Sequence, residues 1–121
     1  MGGYKDLEIY KLSFELALML HDASLKLPKL ELYEQGSQIR RSSKSIKDNI
    51  AEGYGRRRYK AEFIRFLIFA HASSDETNSQ LDMLATLYPN IKEFEELKIP
   101  YNNLGGKINN YIKYVEKNWR I

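Results

Sequence analysis

The stretch SQIRRSSKSIKDNIAEGYGRRR, residues 37 to 58, decides how this chain is read. At 3.6 residues per turn, Ile39, Ser43, Ile46, Ile50 and Gly53 share one face, a narrow apolar stripe with small residues in it. About 100° round the helix stand Arg40, Lys44, Lys47 and Ala51, and the far flank carries Arg41, Asp48 and Glu52. Gly53 and Gly55 are expected to supply the left-handed conformation that ends helices, and Arg56, Arg57 and Arg58 follow at once. A helix that buries one face and lines another with cations is suited to docking in a bundle and to touching something anionic.

Three more periodic segments lie around it. Upstream, Leu7 to Leu27 predicts a helix with Asp6 as N-cap and with Leu7, Tyr10, Phe14, Ala17, Leu18, His21 and Leu25 on its buried face. Pro28 stops it, and the helix holding the quoted stretch starts near Glu31. Downstream, Tyr59 to about Tyr88 carries Phe63, Phe66, Leu67, Ala70, Thr77, Leu81 and Leu84, and Pro89-Asn90 ends it. The last segment is less regular. Ile91 to Leu97 predicts a short helix, and Pro100 suits the first position of another. Leu104, Ile108, Tyr111, Ile112, Val115 and Trp119 continue that stripe, while Gly105 and Gly106 each weaken the helix by roughly 1 kcal/mol relative to alanine. No run alternates with period two, so no strand is expected. Short connections favour antiparallel neighbours, and the expected fold is all-α: an up-and-down four-helix bundle, one domain over residues 1–121.

Composition narrows the class. A chain of 121 residues supports one real core. It has no cysteine, hence no disulfide, thiolate metal site or cysteine nucleophile. Glu8, Lys11, Glu15 and Asp22 interrupt the first segment, which argues against a signal peptide or membrane span and makes a cytoplasmic protein the expectation. The net charge is +3, unevenly spread. Between Arg40 and Arg65 nine Lys or Arg face three acids, a local +6 that leaves −3 for the remainder.

Ser37, Gln38, Ile39, Arg40, Arg41, Ser45, Ile46, Asn49, Ile50, Ala51, Glu52, Gly53 and Arg56 follow a long family signature. Phe63, Phe66, Leu67, Ala70, Ser73 and Glu76 continue it in the next helix, and Asp6, Leu7 and Tyr10 fit its start. Over roughly residues 6 to 88 the chain resembles the four-helix-bundle family of the intervening-sequence protein found in some bacterial 23S ribosomal RNA genes. It departs from that pattern at Ser42 and Ser43, where alanines are usual, at Lys47, where proline is common, and at Pro100. The resemblance implies a ring-like homo-oligomer, a pentamer, without known catalytic activity. A related group of small bundle proteins assists retroelement reverse transcriptases by binding nucleic acid through basic surfaces.

The residues themselves name candidate surfaces. On the third helix Ile64, Ile68 and His71 form a second stripe about 100° from the first. Either the core face is wide or this stripe is a subunit interface. Gln38, Ser42, Ser45, Asn49 and Glu52 form a polar stripe beside the core of the second helix. Interhelical hydrogen bonds that set register are its expected use, with a polar ligand pocket as the alternative. The eight cations Arg40, Arg41, Lys44, Lys47, Arg56, Arg57, Arg58 and Lys60 are the candidate nucleic-acid site, and Tyr54 and Tyr59 offer stacking surfaces beside them.

Catalytic signatures are missing. Glu52 and Glu76 have no histidine or lysine placed to assist them, and neither histidine has a glutamate three residues before it. His71 and Asp75 lie one turn apart, but two ligands do not make a metal site. Gly105-Gly106-Lys107 is followed by Ile108, so it is not a phosphate-binding loop. No enzyme, metal or cofactor is expected. The expectation is a self-associating binding protein with RNA or DNA as ligand, held electrostatically and with little sequence specificity. Two readings compete: a merely solvated basic face, and a scaffold whose cations meet an acidic protein partner. A membrane partner is not expected.

Overall fold

The apolar stripe of residues 39–53 is the centre of the molecule. In the computed structural model, which describes residues 2–120, it lies on helix α3 (Gln35–Gly55), with Ile39, Ile46 and Ile50 fully buried. The other long helices are α1 (Glu8–Ser24), α4 (Lys60–Leu87) and α5 (Lys92–Asn118), and a single turn, α2 (Lys29–Tyr33), leads into α3. Each long helix neighbours two others, in the order α1, α3, α4, α5 and back to α1. Connections at residues 56–59 and 88–91 are short, so the bundle runs up and down. Among the described residues there is no strand, and no helix is long and apolar enough to cross a membrane.

One cluster of buried side chains fills the interior. Leu20, Phe63, Leu67, Leu81, Leu84, Phe94, Tyr101, Leu104 and Ile108 close around the three isoleucines of α3. Two glycines set how closely the helices approach. A Cβ on Gly53 would stand 3.0 Å from the Phe66 Cβ and 3.2 Å from the Phe63 carbonyl oxygen, so glycine lets α3 meet α4 backbone to side chain. Gly53 therefore does not end the helix. The backbone passes through it to Gly55, no described glycine has positive φ, and the left-handed cap expected there is absent. Gly105 likewise faces Ser74 of α4, inside an unbroken α5.

Other expectations are corrected. Asp6 closes a 3-10 turn (Tyr4–Asp6), and Leu7 occupies the N-cap of α1 without a side-chain cap bond. The buried face of α1 is Ile9, Ser13, Leu16, Ala17, Leu20, Ala23 and Ser24, so Phe14, Leu18 and Leu25 point outward. Ala17 of the expected face is buried and Leu7 and Tyr10 pack against the core, but the centre of the face is displaced from the expected stripe because the true core face contains serines. Ser13 and Ser24 satisfy their hydroxyls on their own helix, donating to the Tyr10 and His21 carbonyls at 3.0 and 2.7 Å. Pro100 does not start a helix. It sits inside α5, where buried Phe94, Leu97, Tyr101 and Leu104 hold the two halves to one core across the lost N–H.

Candidate nucleic-acid interface

The polar stripe of α3 turns to α4. Ser42 Oγ lies 2.9 Å from Thr77 Oγ1 and donates to Gln80 Oε1 at 2.8 Å, with all three residues buried. Ser45 donates to Ser73 Oγ at 2.7 Å. These bonds do what was expected of the stripe, linking helices at fixed height. Its ends differ: Gln38 is exposed, and Glu52 pairs with Arg56. Beside them a cleft of about 320 Å³ is lined by Gln38, Arg41, Ser42, Ser45 and Glu76. Among the described residues no three histidine or acidic side chains converge where a metal ion could sit.

The cations divide into three groups. Arg40 turns inward, donating at 2.9 Å to both Ser24 Oγ and the Leu32 carbonyl. Its guanidinium fastens α1 and α2 to α3, a structural use that the sequence did not reveal, and Arg40 is half-buried there. Lys44 and Lys47 line an open hollow with Phe14, Ala17, Leu18 and His21 of α1; Lys47 pairs with Asp48 at 2.7 Å, and Arg41 lies toward α4.

The third group gathers at the α3–α4 turn. Arg56 bonds Glu52 at 2.8 Å and Glu62 at 3.1 Å, and the Glu52 hydrogen bond is the main reason its pKa is raised. Arg57 lies 4.1 Å from the Tyr54 ring centroid and donates to the Tyr54 carbonyl at 2.9 Å. Arg58 is 6.0 Å from the Tyr59 ring. Lys60 donates to the Glu116 carbonyl at 2.7 Å, and the Trp119 indole donates to the Arg57 carbonyl at 3.0 Å. These two bonds bring the end of α5, with Lys117 and Arg120, to the basic turn. Phe63 packs beneath it, edge-on to Tyr54, Tyr111 and Trp119. Burial pushes the Tyr111 hydroxyl up to about 12, so that ring stays neutral.

Along the chain, the model of the 23S rRNA-intervening sequence protein family matches residues 5–110. The chain belongs to that family. No curated protein sequence matches it. In this intervening-sequence family member the matched region includes the turn and all eight cations first considered, while residues 111–120, which close the basic end, lie beyond it. Lys117 and Arg120 were missed in the sequence, where Trp119 was read only as part of the last apolar stripe. The available signal was topological: an antiparallel last helix must return its end to the start of α4.

The second stripe of α4 is only partly free. Ile64 packs against the core, Ile68 is 50% exposed, and His71 Nδ1 lies 3.6 Å from Asp75. A further uncovered apolar surface is on α1, where Phe14, Leu18 and Met19 are exposed, with Leu25 at its C-cap.

Arg40 and the turn cations are separable by experiment. Arg40→Ala is expected to lower stability by about 1.5–3 kcal/mol, the usual value of hydrogen bonds from a charged donor. Thermal denaturation checks this, and an unchanged midpoint would return Arg40 to the surface.

Proposed function

We propose that this protein is a non-catalytic, self-associating binding protein that holds RNA or DNA at its basic end with little sequence specificity. The observation that carries the reading is the α3–α4 turn. Glu52 and Glu62 take up the charge of Arg56, whereas Arg57, Arg58 and Lys60 have no carboxylate partner among the described residues, and the end of α5, whose sequence carries Lys117, docks against the same turn. Unpaired cations at one end of a rod attract a phosphate backbone without reading bases. The family's printed name, which refers to a 23S rRNA intervening sequence, favours RNA.

Self-association is supported by the uncovered stripes on α1 and α4. These helices sit diagonally in the bundle, so their outer faces point in opposite directions. A contact between them is heterologous, the kind that closes into rings such as the pentamer the family resemblance implies. A ring repeats the basic end and adds avidity. The absence of cysteine favours, within this reading, a cytoplasmic setting.

A filter-binding titration with structured RNA at two salt concentrations tests the reading. Replacing Arg57 and Arg58 together by alanine is expected to flatten the slope of log affinity against log salt by about 1.4–1.8, at roughly 0.7–0.9 per phosphate contact. The melting temperature should barely move, because exposed cations contribute little to stability. If the wild type shows no salt-dependent affinity for RNA, single-stranded DNA or duplex DNA at low ionic strength, the reading fails. A scaffold for an acidic protein then takes its place.

A further inference from the structure

Phosphate attraction does not account for the aromatic side chains at the same end. Tyr59, at the N-cap of α4, is 62% exposed and has Arg58 beside it. Arg57 offers a second flat surface: its guanidinium lies over the Tyr54 ring and is tied to the Tyr54 carbonyl, which leaves its outer face to solvent. Neither platform hangs on a loose loop. The turn is closed by backbone bonds from Arg56 to Gly53, Arg57 to Tyr54 and Tyr59 to Arg56, at 3.0, 3.2 and 2.9 Å. The Trp119 indole holds the Arg57 carbonyl from the other side.

We infer that this turn is a stacking site for unpaired nucleotides, so that the ligand is a single-stranded polynucleotide rather than a duplex. The inference rests on the reading above and narrows it. Aromatic rings and guanidinium planes accept the faces of bases, and those faces are open only where bases are unpaired. A duplex covers them and would leave Tyr59 without a role. Reading a duplex groove also calls for a protruding helix or ribbon, whereas this end is a blunt, tightly bonded turn. Arg57, Arg58 and Lys60 stand at the platforms and supply the phosphate contacts that every strand offers.

The test is an anisotropy titration of the full chain at one fixed salt concentration. The probes are a labelled unstructured RNA oligonucleotide, the DNA strand of the same sequence, and a duplex of the same length. The wild type is expected to bind single strands more tightly than the duplex. Tyr59→Ala should weaken single-strand binding roughly 5- to 150-fold, the worth of one stacked base, and leave duplex binding unchanged. Tyr59→Phe keeps the ring and should bind as the wild type does. A preference for the RNA or the DNA strand over its counterpart supports the inference and identifies the sugar that is read. Wild-type preference for the duplex, or a folded Tyr59→Ala protein with unaltered single-strand affinity, overturns the inference and leaves the broader reading standing. Absence of binding to all three probes overturns both.

Discussion

Replacing Ile50 by alanine is expected to cost about 2–5 kcal/mol of stability. Ile50 is fully buried one turn before Gly53, where α3 and α4 are already in tight contact, which limits how far the surrounding helices can collapse into the space left behind. A domain of this size has roughly 5–15 kcal/mol in total, and the melting temperature should fall on the order of 10 °C or more. Circular dichroism during heating measures it. A midpoint within error of the wild type would mean that Ile50 is exposed and that the helical register of α3 is wrong.

The second large effect is expected at the outer face of α4. Ile68→Glu should reduce the protein to a smaller species while leaving helix content largely intact. Ile68 is half exposed in the single chain, so a carboxylate there is solvated once subunits separate. Within an apolar contact the same carboxylate would be buried without a partner, which costs several kcal/mol. The paired change Ile64→Glu with Ile68→Glu should act more strongly but less cleanly, because Ile64 also packs on the core. Sedimentation velocity distinguishes the outcomes. An oligomer unchanged in a folded Ile68→Glu protein would remove α4 from the interface.

Much of the architecture was legible because α3 shows one apolar stripe with period 3.6 and the main stripe of α4 keeps the same period. Ile39, Ile46, Ile50, Phe63, Leu67, Leu81 and Leu84 are buried as that spacing requires. Helix α1 was misread because two apolar stripes compete on it, and nothing in a single strand of sequence says which one a neighbour covers. Two signals failed for a related reason. Glycine reads as a helix end and proline as a helix start, yet Gly53 is needed for close approach and Pro100 is carried by the packing on both sides of it. Local preference there amounts to roughly 1–3 kcal/mol, less than several buried side chains supply.

The candidate site was legible in kind and not in shape. The run Arg56–Arg58 announced itself by charge. Which cations are free was hidden, since pairing depends on partners far away in sequence or a turn away in space: Arg40 spends its donors on Ser24 and Leu32, and Arg56 on Glu52 and Glu62. The contribution of α5 to the basic end required knowing where that helix finishes.

The hydroxyl and amide contacts of Ser42, Thr77 and Gln80 have an evolutionary consequence. Ser42 is the shared partner of the other two, with the Thr77 proton going to the Ser73 carbonyl and the Gln80 amide to Glu76, so losing Ser42 alone strands the buried Gln80 oxygen and costs about 1–3 kcal/mol, while apolar replacement of the whole set is close to neutral. Viable sequences are therefore separated by a valley that single substitutions cross only at a loss. Within the lineage of this bundle, position 42 should covary with positions 77 and 80: a chain that takes alanine at 42 should shed the polar groups of its α4 partners as well.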